Sequence, residues 1–201
     1  MKRLLNQHPL IYLITIVIVG IVVVVLEQPG TGPNDDRQDF FPFKALDIAA
    51  VQTVKIAHFV EGIELKRNGE GWLASSFVTP MAETINAQSG QDAAAVETIV
   101  ANTQKADALL NAIKDVEIRG VASHDFSAAP QLEANDIGTH VQAYDAAGQV
   151  LADLYIGKLS PDMVSTYVRL QGAPVVYLAD GYLGGQFPAL ISAWKKPDDQ
   201  H

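Results

Sequence analysis

Residues 92–114 read DAAAVETIVANTQKADALLNAIK, and the spacing of apolar side chains in this stretch decides the fold. Val96, Ile99, Val100, Thr103, Ala106, Leu109, Leu110 and Ile113 recur at i, i+3, i+4 and i+7. Glu97, Asn102, Lys105, Asp107 and Asn111 fall on the opposite side. The pattern predicts one long amphipathic helix from Asp92 to Lys114, capped by Ser89 or Asp92 and laid over a sheet.

The flanking segments supply that sheet. Val51 to Phe59 alternates Val, Thr and Ile; Glu61-Gly62 turns the chain, and Ile63 to Arg67 returns. Asn68-Gly69-Glu70-Gly71 turns it again into Trp72-Leu73-Ala74. Downstream, Val116 to Arg119 is a short strand, and Gly120 to Gly138 reads mostly as loop. Strands are expected at Thr139–Asp145, Val150–Ile156, Ser165–Leu170 and Val175–Leu178. Asp180 opens a short closing helix through Phe187, Leu190, Ile191 and Trp194, which Gly184-Gly185 interrupts or bends. The order of meander, long helix, meander and short helix gives an α+β fold. Hairpins at Val54–Leu65 and Val141–Leu154 suggest a diverged duplication of a meander-plus-helix unit.

Working back to the N-terminus, Leu10 to Leu26 is a run of seventeen residues without a charge. At about 1.5 Å of rise per residue it crosses most of a hydrocarbon core of roughly 30 Å, and in lipid a helix satisfies its own backbone. Lys2 and Arg3 keep the N-terminus cytoplasmic, so the remainder crosses to the other side. The run ends in Val23-Val24-Val25-Leu26-Glu27-Gln28 without small residues at cleavage spacing, which favours an uncleaved signal anchor. Gln28 to Asp39 is a Gly-, Pro- and Asx-rich linker, whose twelve residues reach at most ~40 Å. The expected organisation is therefore a stub and transmembrane anchor (1–27), a linker (28–39), an α+β domain (40–195) and a polar tail (196–201). Within the anchor, Tyr12, Thr15 and Gly20 are candidate contacts with lipid or a neighbouring helix. Phe40, Phe41 and Phe43 around Pro42 either rest on the membrane or a transmembrane neighbour, or plug the base of the domain's own core.

Charge narrows the function classes. All 23 acidic residues lie from Glu27 onward, against 12 of the 14 basic ones once Lys2 and Arg3 are set aside. This balance argues against nucleic acid and against broad contact with an anionic leaflet. The absence of Cys removes thiol chemistry, thiolate metal sites and disulfides.

A family resemblance is carried by the strand Ile63-Glu64-Leu65-Lys66-Arg67 followed by Gly71-Trp72, and by the helix ending in Leu109-Leu110. Leu154-Tyr155-Ile156-Gly157, Tyr167-Val168-Arg169-Leu170, Val176-Tyr177-Leu178 and a terminal helix with Phe187 and Trp194 continue it. Over roughly Val51 to Trp194 the chain resembles the bacterial domain of unknown function 4340. The resemblance implies an α+β extracytoplasmic domain behind one membrane helix. It also implies an accessory role, some members being similar to auxiliary proteins of gliding-type ABC transporters. It brings no active-site residues.

No motif announces a reaction. His58, His124 and His140 make no HxH, HxxxH or HExxH spacing, and His58 and His140 fall on polar strand faces. No Gly-x-Ser-x-Gly elbow accompanies His124-Asp125, and Gly157-Lys158-Leu159-Ser160 lacks the upstream glycine of a phosphate loop. Catalytic residues, metal ligands and cofactors are thus none. The expectation is a non-catalytic single-pass accessory or scaffold subunit of a bacterial inner membrane, contacting the bilayer through 10–26. Its periplasmic domain packs on an integral membrane protein complex. The alternative is a periplasmic binding module for a small molecule or polysaccharide serving an ABC-type transporter, with Tyr144, Tyr155, Tyr167 and Tyr182 lining a cleft.

Overall fold

The computed structural model describes residues 40–90 and 95–196. Its centre is a nine-stranded sheet, antiparallel at every pairing. The strands are β1 (Thr53–His58), β2 (Glu61–Asn68), β3 (Gly71–Val78), β4 (Thr98–Val100), β5 (Ile118–Ser123), β6 (Thr139–Tyr144), β7 (Val150–Leu159), β8 (Ser165–Leu170) and β9 (Val176–Asp180). Their spatial order is β4-β3-β2-β1-β6-β7-β8-β9-β5. Two meanders therefore meet at the β1–β6 pair, where Ile56 stands opposite Val141 and His58 opposite Thr139.

Among the described residues two short α-helices accompany the sheet, α1 (Pro80–Ser89) and α2 (Thr103–Lys114). The α+β expectation built on a long helix is thereby corrected. Residues 98–100 form β4, paired with Leu73–Ser75 of β3, and the helix starts only at Thr103. Thr98-Ile99-Val100 is a β-branched run, and such side chains lose rotamer freedom in a helix but pack well on a pleated surface. Asn102 then stops the strand and starts the helix, its side-chain oxygen accepting the Lys105 amide at 3.1 Å. The closing helix is also corrected, to two 3₁₀ turns at Gly184–Gln186 and Ile191–Trp194. Among the described residues no helix is long and apolar enough to cross a membrane. The run Leu10–Leu26, with Tyr12, Thr15 and Gly20, lies outside them, as does the linker 28–39.

Period-two alternation sends one set of side chains to a single large core. Val54, Ile56, Ile63, Leu65, Val141 and Leu154 are fully buried there. Ala106, Leu109, Leu110 and Ile113 of α2 close over them. Trp72 ties strand to helix: its indole N–H donates to Asp107 at 3.2 Å, and the Arg67 guanidinium lies 4.5 Å over its ring. At the C-terminus, Trp194 is buried in the same core, and its carbonyl accepts the Asn102 amide at 2.9 Å.

Candidate functional site

The opposite face of the sheet carries polar and aromatic side chains that the register brings into a row. His140 of β6 stands opposite Tyr155 of β7, which stands opposite Arg169 of β8. The His140 and Tyr155 rings stack at 4.0 Å with 10° between their planes. The Arg169 guanidinium lies 4.2 Å over Tyr155 and 5.2 Å from the ring of Phe126. One residue pair further along, Gln142 stands opposite Asp153. Asp153 accepts from His140 Nε2 at 2.7 Å on one carboxylate oxygen and from Gln142 at 2.7 Å on the other.

The loop between β5 and β6 roofs half of this row. A 3₁₀ turn at Phe126–Ala128 starts it, with Asp125 accepting from the Ser127 amide and hydroxyl. Ala129 and Ala134 then pack on Val176, with Leu132 and Tyr167 beside them. Arg169 is buried beneath, and its Nε donates to the Ala134 carbonyl at 2.9 Å. Two glycines let the loop touch β7 backbone to backbone. A methyl group on Gly157 would lie 2.2 Å from the Leu132 carbonyl oxygen, and one on Gly138 would lie 2.5 Å from that of Ile156 in β7.

Electrostatics follow from this enclosure. Burial pushes the Tyr155 phenol above the usual tyrosine range; the charges of Asp136 and Asp153 add to that, and Arg169 opposes it. Burial likewise raises Tyr144, seconded by Asp153 and Glu64. Both phenols stay neutral well past physiological pH, and Tyr155 serves as a stacking surface for His140.

At the open end of the row lies a cavity of about 370 Å³. Ala57, Phe59, Pro80 and Met81 give it apolar walls, and His140 and Asp136 give it a polar end. A carboxylate-oriented imidazole facing such a cavity has the make-up of a general base or a hydrogen-bonding anchor. No group of three His, Asp or Glu among the described residues is placed to hold a metal.

The residues singled out in the sequence are distributed as follows. Phe40 forms a bridge with Ile118 and meets Tyr177 edge-on at 5.7 Å, while Phe41 is exposed beneath Lys44. Phe43 packs against the core. His58 hydrogen-bonds Thr139 at 3.2 Å. His140 is no plain surface residue but the hub of the polar row. The four tyrosines expected in one cleft are dispersed: Tyr144 under Lys55, Tyr155 in the stack, Tyr167 under the loop, and Tyr182 exposed. The row escaped a reading by sequence spacing because only strand register assembles it. The alternation of His140, Gln142 and Tyr144 against Asp153 and Tyr155 was its one local signal.

No curated protein and no solved structure matches the chain. A family model described as Domain of unknown function (DUF4340) matches residues 101–198. That range takes in α2, strands β5 to β9, the roofing loop and the closing turns, and leaves strands β1 to β4 outside. Over this C-terminal stretch the chain is similar to the DUF4340 family, a domain of unknown function.

Proposed function

We propose that this chain is a non-catalytic, membrane-tethered accessory subunit whose folded domain packs on a larger membrane protein complex. The observation that carries the reading is the uncharged run Leu10–Leu26 behind Lys2 and Arg3. It is long enough to hold the chain in a bilayer, with the N-terminus cytoplasmic and the domain periplasmic. The acidic balance of the remainder keeps such a domain off nucleic acid. Exposed Phe40 and Phe41, where the described chain begins, add apolar surface on the tether side. Mild-detergent extraction tests this: the chain should co-purify at fixed stoichiometry inside a large assembly. Recovery solely as a free monomer refutes it.

A second reading is favoured by the cavity beside His140 and Asp136, whose volume is of the size that small ligands occupy, roughly 300–1,000 Å³. In it the domain is a binding module for a small molecule or saccharide that serves an ABC-type transporter. A thermal-shift screen with glycans and metabolites decides between the two. A flat response eliminates the module, and a shift abolished by His140→Ala supports it.

A further inference from the structure

The strand directions give the sheet two unlike ends. At one end lie the turns at Asn68–Gly71, Asp145–Gln149 and Gln171–Pro174, built from Asn, Asp, Glu, Gln, Gly, Pro and Ala, with Val150 and Phe126 the exposed large apolar residues near them. At the other end lie the β1–β2 tip with Phe59 and Val60, and the β7–β8 tip with Met163 and Val164. Both tips are exposed, Met163 at 70% and Phe59 at 44%. The N-terminal turns of α1 add Met81 and Ile85, one helical turn apart and exposed; α1 buries no residue at all.

Backbone strain marks the same places. Among the described residues three non-glycine residues have positive φ, and two of them are Phe59 (52°) and Met163 (61°). Glycine or asparagine would occupy these positions without penalty, whereas a bulky apolar side chain there is a strained choice. Strain of this kind persists at functional sites. Both strained residues are large, apolar, solvent-facing and at the same end of the sheet.

We infer that this apolar end of the sheet is a bilayer-contacting surface, with Phe59–Val60 and Met163–Val164 entering the interface between headgroups and acyl chains. The inference rests on the tether proposed above. The described chain begins at Phe40, which bridges Ile118; Ile118 pairs with Ala179, one residue from Asp180 opposite Ser165 at the base of the Met163 tip. The chain therefore enters the domain at this end. The twelve residues Gln28 to Asp39 span at most ~40 Å, which confines the domain to the neighbourhood of the membrane. The apolar residues stand at the ends of two separate hairpins, with Glu61 next to Val60 and Asp162 next to Met163. A fluid interface accepts separate tips, whereas a protein partner requires a continuous matching face. These adjacent carboxylates make a zwitterionic surface the better match than an anionic one.

The chain has no Cys, so single reporters are easily placed. The full-length chain is reconstituted in phosphatidylcholine vesicles with an environment-sensitive fluorophore on Val60→Cys, Val164→Cys or Ala147→Cys, the last at the polar end. Acyl-chain spin-labelled lipid is the quencher. At an interfacial depth of about 5–10 Å, labels at 60 and 164 lose roughly half their emission and the label at 147 keeps nearly all of it. Adding phosphatidylglycerol weakens the quenching at both tips. Phe59→Asn with Met163→Asn abolishes it without lowering Tm, because asparagine accepts the left-handed backbone. A chain that floats with the vesicles after an alkaline wash but shows equal quenching at 60, 164 and 147 overturns the inference alone. Blue-shifted but unquenched tips do the same, identifying a protein cover. A chain that fails to float overturns the tether and the inference together. Tip quenching that survives the Asn pair while Tm falls assigns these side chains to folding and overturns the inference as well.

Discussion

Replacing Gly157 by alanine tests the contact between the roofing loop and β7. The added Cβ would stand 2.2 Å from the Leu132 carbonyl oxygen, 3.0 Å from the Ala134 nitrogen and 3.1 Å from the Glu133 carbonyl carbon. All three are backbone atoms, so no flexible side chain can swing aside. A carbon–oxygen contact of about 3.3 Å is the closest that is comfortable, so the loop has to retreat by roughly 1 Å. That retreat breaks the bond from the Lys158 amide to the Leu132 carbonyl, 3.1 Å in the native fold. It also stretches the bond from the buried Arg169 guanidinium to Ala134. The first loss costs about 1 kcal/mol, and weakening a bond from a charged donor costs about 1.5 kcal/mol more. Residual overpacking adds about 1 kcal/mol. The expected loss is therefore about 3.5 kcal/mol, or roughly 7–14 °C in Tm for a domain of this size.

Urea unfolding of the purified full chain in mild detergent, followed by tryptophan fluorescence, measures it, because Trp72 and Trp194 are both buried. Two companions calibrate the result. Gly120 has open space around it and Gly148 has open space but a φ of +79°. Gly120→Ala is expected to be neutral or slightly stabilising, and Gly148→Ala to cost about 1–2 kcal/mol in backbone strain. If Gly157→Ala proves no worse than Gly148→Ala, the loop does not lie against β7 as described, and the enclosure of Arg169 fails with it.

Other consequences can be measured in the same way. Leu110→Ala, at a fully buried position of α2, should cost about 2–5 kcal/mol, whereas exposed Ala108→Ser should change urea stability little. Asp153→Asn keeps the shape but removes the charge that accepts from both His140 and Gln142; about 1–2 kcal/mol of stability should be lost, with a displaced His140 ring resonance. Tyr144 and Tyr155 hold their phenolic protons more tightly folded than unfolded. Their contribution to stability is therefore complete below pH 10 and declines as pH rises through the raised values. Spectrophotometric titration should show a late phenolate step that Tyr144→Phe and Tyr155→Phe each diminish. Asp162 works with the opposite sign: its hydroxyl and amide donors in Ser165 and Val164 hold it below 3.8. Its support of the Met163 tip is present above that pH and is lost as pH falls below it, visible as faster exchange of the Val164 amide.

Much of this architecture is legible from residue patterns, and the exceptions have identifiable physical causes. Residue patterns located β1 to β3 and β6 to β9, because half-buried strands repeat every second residue, whereas β5 was met only at Ile118-Arg119 and its Gly120–Ser123 part reads as loop. The buried face of α2 was equally plain in Ala106, Leu109, Leu110 and Ile113. Strand β4 was hidden inside the helical pattern because Val96, Ile99 and Val100 happen to continue the same i, i+3, i+4 spacing. The discriminating signals were local: three β-branched residues in succession, and Asn102 at a cap position. Helix α1 was missed for the converse reason. It has a full set of terminal signals, with Thr79 capping the Ala82 amide, Pro80 at the first position and Gly90 in the left-handed conformation after it. It buries nothing, so the apolar periodicity that reveals most helices was missing. The polar row lay furthest from view, since His140, Tyr155 and Arg169 are separated by fourteen or fifteen residues and meet only through antiparallel register.

Two directions of apolarity run through the domain, and folding accounts for only one. Across the sheet, apolar side chains on one face and polar ones on the other are what a core requires, and each buried Ile or Leu stabilises the fold by about 1.5–3 kcal/mol. Along the strands, the change from polar turns at one end to Phe59, Val60, Met163 and Val164 at the other adds nothing to that core. It works against folding, because positive φ at a bulky residue is disfavoured by about 1–2 kcal/mol and asparagine would remove the penalty. On the proposal made above, the compensating interaction comes from outside the sheet. The polar row shows no such debt: its buried side-chain atoms all have partners, its phenols stay neutral, and its arginine is roofed and bonded. Strain and exposure at the tips of β1 and β7 are thus what the membrane-contact proposal rests on, while the row supports only the binding-module reading.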